Sequence, residues 1–301
     1  MKLIGLMPVR NEAWVLGLSA RVALMWCDSV VFLDHASEDA SPKILDDLQG
    51  EYGYPRVIIC NESSKHWPEM EHRQLMLEVA RRHGATHIAL IDADEVLTGN
   101  LLDGKTWRSG NSTNEEIKRI LSGQLLELPG YNLRNGIQQY HGDGIWGRRW
   151  FSLVFKDDPE LGWHGDRHDH REPMGKQLTS YRPISHGNGG VMHLWGASER
   201  RLIAKHALYK VNHRLRFPEK PIATIEKEFS WAIKGEIGHP SFGTSETWHY
   251  NAIPEAWWAP YAGLMKYLDV DAEPWQECEV QRLVSEHGKE AFAGLDLFGV
   301  A

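Results

Sequence analysis

The chain reads as an α/β fold: a mostly parallel central sheet with helices on both faces, followed by a helical, tryptophan-rich C-terminal extension. Three observations predict it. Over the first hundred residues, runs that are apolar almost throughout (KLIGLMPV, SVVFLDH, RVIICNE, THIALIDADEV) alternate with amphipathic stretches of helical period; strands buried on both faces by crossover helices give this rhythm. Apolar residues make up 42% of the 301, enough for one large domain with an appendage or for two. After residue 221 come Trp231, Trp248, Trp257, Trp258 and Trp275, in a stretch that reads as a helical subdomain packed by Trp257 and Trp258.

The elements follow in order. KLIGLMPV is the first strand, and its short apolar run, broken by Pro8 and Arg10, fits a buried strand better than a signal peptide. Asn11 to Met25 has helical period with Leu16, Leu18, Val22 and Met25 on the inner face. SVVFLDH (29–35) is the second strand; SPKILDDLQGEYG (41–53) is a helix with Ser41 as N-cap and Pro42 at its first position. RVIICNE (56–62), a helix over 68–84 ended by Gly84, and THIALIDADEV (86–96) complete the first half. Residues 97–127 are polar and turn-rich and read as a surface excursion with a short helix to Ser122; LLELPGYNL and RRWFSLVFK read as further strands. The Gly-, His-, Arg- and Trp-rich segment 160–195 reads as an active-site loop region, and 198–215 as a helix capped by Ser198. The domain reading is 1–215, with halves 1–100 and 125–215, then 216–301.

Composition excludes several classes. No apolar run approaches the roughly 20 residues of a membrane span. Three cysteines without a CxxC pair, Cys27, Cys60 and Cys278, argue against a disulfide framework or a structural zinc site and for a reducing, cytoplasmic setting. Neither GxGxxG nor GxxxxGK[ST] follows the first strand, so no Rossmann dinucleotide site or P-loop is indicated. Net charge is −8, yet Trp146–Lys220 holds 14 Lys and Arg against 8 Asp and Glu, which suits an anionic ligand and equally a mixed surface.

Ligands of parallel sheets bind at the carboxyl ends of the strands. Three polar clusters sit there: Pro8-Val9-Arg10-Asn11-Glu12, Asp34-His35-Ala36-Ser37, and Asp92-Ala93-Asp94-Glu95. Three carboxylates within four positions repel one another unless a cation or base offsets them. One Asp would suffice to cap a turn; Glu95, on the opposite side of an extended chain from Asp94, is the least needed of the three.

In this order, PVRNEA (8–13), LDHASEDAS (33–41) and DADE (92–95) resemble the family 2 glycosyltransferases, which have the GT-A fold; the likeness covers 1–100 well and 145–215 more loosely. His35 and Ala36 stand where the family usually has Asp and Gly. The resemblance implies an inverting transfer of sugar from a nucleotide-sugar, a UDP-sugar, to an acceptor hydroxyl, assisted by Mn2+ or Mg2+, which prefer oxygen ligands and stabilise the leaving diphosphate. It implies Asp94 and His193 as metal ligands, with His186 the competing histidine. Asp92 would hold the ribose or a metal-bound water, or serve the metal directly. Pro8, Val9, Arg10, Glu12, Asp34, Arg73 and Ala93 would line the donor, Asp34 reading the base. Arg200, Arg201 or Lys205 would reach the diphosphate. The resemblance implies Asp169 as the general base, with Asp166 and Glu172 as alternatives. The acceptor would be a saccharide, a glycolipid or a hydroxymethylated base in phage DNA. Two other readings stay open: a non-catalytic nucleotide-sugar-binding module, and a zinc hydrolase built on the His164–His170 loop, although no HxHxDH spacing is present.

Overall fold

The computed structural model describes residues 1–63, 68–102, 113–142, 144–147, 149–165, 171–230, 233 and 249–301. Two compact units divide the chain. The first comprises Met1–Tyr131, Arg149–His193 and Pro254–Asp269; the second comprises Asn132–Arg148, Leu194–Ile253 and Val270–Ala301.

The first unit opens as expected. Strand β1 (Leu3–Val9), helix α1 (Ala13–Trp26), β2 (Ser29–His35), α2 (Ser41–Tyr52), β3 (Val57–Glu62), α3 (Glu69–Arg82) and β4 (His87–Leu90) alternate. The strands stand in the order β3-β2-β1-β4, all parallel. Their side chains alternate between faces: Ile4, Leu6, Val31 and Leu33 pack with Met70, Met76, Leu77 and Ala80 of α3. On the opposite face, a Cβ at Gly5 would lie 3.4 Å from Cys27 Sγ, next to the end of α1. Gly84, at φ 75°, follows α3.

Beyond β4 the sheet turns antiparallel. After β5 (Glu95–Leu97), α4 (Thr113–Lys118), β6 (Gln124–Asn132), β7 (Gln139–His141) and α5 (Gly144–Gly147), strand β8 (Arg149–Lys156) runs against both β4 and β6. Strand β9 (Thr179–Tyr181) pairs with β6, and β10 (Val191–His193) runs against β5. The α/β class holds, with the parallel pairing made by β1–β4 and, beyond them, by β6 with the short β9.

Five local expectations are corrected. The run 86–96 is not one strand: it breaks after Leu90, because Glu95 N–H closes a turn on Asp92 O at 3.0 Å. Met25 is 51% exposed, whereas the rest of α1 from Trp14 to Trp26 is buried nearly all round. Its outer side is covered by the chain returning at Ala259–Tyr267: Arg21 Cζ lies 3.9 Å from the Tyr267 ring centroid, and Asp269 N–H donates to Trp14 O. Ser41 begins α2 without capping it, since its hydroxyl instead accepts Glu12 N–H at 2.9 Å. Residues 98–101 are no surface excursion: Thr98 and Leu101 are fully buried, and Tyr261 Oη donates to Leu97 O at 2.7 Å. Trp257 likewise packs in this unit, against Tyr131 at 4.5 Å.

In the second unit, β7 pairs with β11 (Tyr250–Ala252), and Asn135-Gly136, both at positive φ, turn the chain into β7. Helices α6 (Glu199–Arg216) and α7 (Ile222–Phe229) belong to this unit, α8 (Glu255–Trp258) lies in the first, and α9 (Trp275–His287) packs against α6. Ser198 caps α6 as expected, accepting Arg201 N–H at 3.3 Å. Its core is Ala207, Leu208 and Val211 against Val280, Leu283, Val284 and Phe292. Among the described residues, no helix is long and apolar enough to cross a membrane.

Candidate active site

The polar clusters meet at the carboxyl edge of the parallel strands. Val9, Asp34 and Asn61 form one row across β1, β2 and β3, while Ile91 N–H still donates to Leu6 O just before the DADE turn. Because β8 runs against β4, its first residues arrive at the same edge.

The first turn is built by Asn11, which takes φ 54°, a conformation Asn tolerates better than most residues. Its N–H donates to Ser37 Oγ at 2.9 Å, and its Oδ1 accepts Glu38 N–H at 2.7 Å. Ala13 N–H donates to Asp39 Oδ2 at 2.9 Å. The β1–α1 and β2–α2 connections are thereby stitched together. Glu12 accepts Trp14 Nε1–H at 2.6 Å. Arg10 Nη1 lies 3.5 Å from His35 Nδ1, and His35 meets His72 of α3 edge-on, with centroids 4.6 Å apart. Asp34 is 7% exposed, and its Oδ1 is buried without a hydrogen-bond partner. Val9 is fully buried and Pro8 half-buried, so both contribute backbone and shape more than polar contacts.

The DADE turn is organised by Arg171. Its Nη1 donates to Glu95 Oε1 at 2.5 Å and Asp92 Oδ2 at 3.1 Å; Nη2 donates to Glu95 Oε2 and Leu90 O, both at 2.6 Å; Nε donates to Ser152 O at 2.9 Å. Arg73 approaches Asp92 Oδ1 from the other side at 3.6 Å while pairing with Glu69 at 3.0 Å. Burial tends to raise the Asp92 carboxyl, but the Arg171 and Arg73 guanidinia prevail and hold it below the usual carboxylate range. Burial pushes Glu95 up, against the pull of Arg171. Burial also works against the charge on Arg171, but Glu95 and Asp92 outweigh it and raise its pKa, so the guanidinium stays charged.

Asp94 points elsewhere. It is 8% exposed, with Oδ1 3.4 Å from His193 Nε2. The β5–β10 pairing sets this, by placing His193 opposite Glu95. Phe151 of β8 packs on His193 at 5.6 Å and faces the Arg171 guanidinium at 5.7 Å. Gly130 makes room for that ring, since a Cβ there would fall 1.8 Å from Phe151 Cδ2.

Of the residues singled out from sequence, Asp34, Arg10, Arg73, Asp92, Ala93, Asp94 and His193 therefore lie along this edge. His186 lies edge-on to Trp150 at 4.8 Å. Asp166, His168, Asp169 and His170 lie outside the described residues. Glu172 accepts Ser152 Oγ–H at 2.7 Å. In the second unit, Arg200 pairs with Glu277 at 2.6 Å and Arg201 donates to Ala272 O. Sequence reasoning missed Arg171 and undervalued Glu95, placed opposite Asp94 on an extended chain that is in fact a turn. The signal available was the row of like charges itself, which needs a counter-ion.

No protein-family profile matches the chain, and no curated protein does. Among solved structures, it is similar to S. aureus TarS at 10% identity and a TM-score of 0.41, over 97% of this chain and 54% of that one. The chain thus spans about half of TarS. It is also similar to TarS 1-349 in complex with UDP-GlcNAc (10% identity, TM-score 0.40, 95% of this chain and 88% of that one). A third is the mannosyltransferase PcManGT from Pyrobaculum calidifontis in complex with GDP-Man and Mn2+ (11% identity, TM-score 0.41, 97% of this chain and 81% of that one). Likenesses this loose leave the reading of the site to its own residues.

The chemistry of those residues fits one divalent cation in part. Asp94 offers a carboxylate and His193 an imidazole, a mixed pair suited to Mn2+. Asp92 Oδ1 is buried without a hydrogen-bond partner, and its Oδ2 is held by Arg171. Among the described residues, no group of three or more His, Cys, Asp or Glu encloses a cation by itself.

Proposed function

We propose that this chain is a nucleotide-sugar-dependent glycosyltransferase of the GT-A, family 2 type, passing a sugar from a UDP-sugar to an acceptor hydroxyl with inversion. One observation carries the reading: Asp34 Oδ1, at the end of β2, and Asp92 Oδ1, just after β4 on the other side of β1, are both buried without hydrogen-bond partners at an edge that also holds Arg10 and Arg73. Buried acceptors in that state call for a ligand that donates to them, flanked by cations suited to a diphosphate.

In this reading Asp34 accepts from the nucleobase and Asp92 from the ribose. Arg10 and Arg73 face the diphosphate, with Pro8, Val9, Glu12 and Ala93 shaping the pocket around it. Asp94 and His193, with Asp92 beside them, hold Mn2+ or Mg2+, which supplies charge stabilisation to the departing diphosphate. Asp169 takes the proton of the acceptor hydroxyl. Residues 1–100 serve the donor and 125–215 the acceptor, a saccharide, a glycolipid or a hydroxymethylated DNA base; 216–301 form the helical extension.

The test offers a panel of nucleotide-sugars with Mn2+ or Mg2+ and measures nucleoside diphosphate release. Turnover of one donor, lost in Asp94→Ala, is expected. No turnover of any donor, with UDP still bound, would leave a non-catalytic binding module. Labelled donor offered to saccharides and to hydroxymethylcytosine DNA reads out the acceptor class.

A further inference from the structure

Arg134 leaves β6 and enters the hairpin turned by Asn135 and Gly136. Its side chain sits in a residue only 6% exposed, and its Nε and Nη1 are buried without a hydrogen-bond partner. A buried guanidinium with idle N–H groups destabilises a protein unless an anion completes it. Unlike a lysine or histidine, arginine cannot escape by losing its proton.

The surroundings are cationic and aromatic. A Cβ at Gly196 would lie 2.7 Å from Leu133 O and 4.0 Å from Arg134 Cδ, so the turn at Leu194–Gly196 comes this close because residue 196 has no side chain. Next to it, Trp195 is 7% exposed, with Lys205 Nζ 5.6 Å from its ring centroid. The Trp146 ring lies 5.1 Å away on one side and His206 5.6 Å away on the other. Burial, joined by the charges of Lys205, Arg134 and Lys210, lowers His206 to about 4, so this ring stays neutral.

We propose that Arg134, flanked by Lys205 and floored by Trp195, is an oxyanion subsite that takes a phosphate monoester group. Both positive side chains lie within electrostatic reach of His206, beside the Trp195 ring, and such a group carries close to two negative charges with three acceptor oxygens. The ring surface beside them suits a phosphate borne on a sugar, though free phosphate shares the recognised chemistry. The subsite lies wholly within the second unit and does not depend on the transferase reading.

The full chain is titrated with inorganic phosphate at constant ionic strength, followed by calorimetry and by thermal unfolding. Saturable binding and a phosphate-dependent rise in Tm are expected. Arg134→Met weakens binding at least tenfold, and without phosphate it melts no lower than the wild type, because an unpaired buried charge has been replaced by an apolar chain. Lys205→Gln weakens binding severalfold. Glucose 6-phosphate binding more tightly than inorganic phosphate assigns the site to a sugar phosphate; equal affinity assigns it to free phosphate. A phosphate response matched by chloride, or identical in wild type and Arg134→Met, overturns the proposal. Should Arg134→Met fail to fold, an unchanged response in Lys205→Gln does the same.

Discussion

Arg171→Met removes the counter-ion of the DADE turn. Glu95, with a side chain 2% exposed, loses both of its guanidinium contacts, and the carbonyls of Leu90 and Ser152 lose a donor each. Breaking a fully buried ion pair from one side costs about 3–5 kcal/mol. Asp92 softens this, since its side chain is 34% exposed and can turn to water, so the low end, about 3 kcal/mol, is expected. For a unit of this size each kcal/mol moves Tm by about 2–4 °C, giving a fall of about 6–12 °C in a thermal melt. The double variant Arg171→Met/Glu95→Gln replaces the stranded acid with a neutral amide and should recover part of the loss. Arg171→Lys keeps the charge but cannot reach two carboxylates and two carbonyls at once, and should fall between. A single variant melting within about 2 °C of the wild type, or a double variant that recovers nothing, refutes Arg171 as the counter-ion of this turn.

Gly130→Ala should force the Phe151 ring off its seat on His193 and Arg171, lowering stability by about 1–3 kcal/mol, read by urea unfolding; an unchanged midpoint would show that the ring swings aside without cost. His206 makes the second unit acid-sensitive. Its folded pKa lies near 4 against an ordinary 6.5, so the unfolded chain binds the proton first as pH falls. Its contribution is whole above pH 6.5 and is lost between there and pH 4, at most about 3 kcal/mol. His206→Gln should flatten the fall of Tm over that window, and parallel curves for the two proteins would rule the histidine out.

The parallel half was legible because its information is local. Each strand is a continuous apolar run, each helix has its own period, and Gly84 and Ser198 punctuate as their chemistry suggests. The arrival of polar clusters at one edge followed from the strands being parallel, whereas the approach of Arg73 to Asp92 is visible only in the structure. What stayed hidden depends on partners distant in sequence. Glu95 looked dispensable because alternation was assumed through a turn; only Arg171, 76 residues later, gives it a role. Met25 looked inward-facing because nothing in 11–25 announces that residues near 260 cover the opposite side of that helix. The Asn135-Gly136 turn is locally readable, as this dipeptide favours tight hairpins, yet it falls between the strands LLELPGYNL and RRWFSLVFK, in a stretch to which no element was assigned.

The stitching at Asn11 has a consequence for how any anion is held at this edge. In many nucleotide-binding folds the first helix greets phosphate with free backbone N–H groups and the positive end of its dipole. Here three successive N–H groups at the mouth of α1, those of Asn11, Glu12 and Ala13, are already donated to Ser37, Ser41 and Asp39. The polypeptide has internalised its own backbone cradle and presents a preassembled, closed corner in its place. In the proposed function, recognition of negative charge would thereby fall to side chains rather than main chain, and single substitutions at Arg10 or Arg73 would tune it without remodelling the fold.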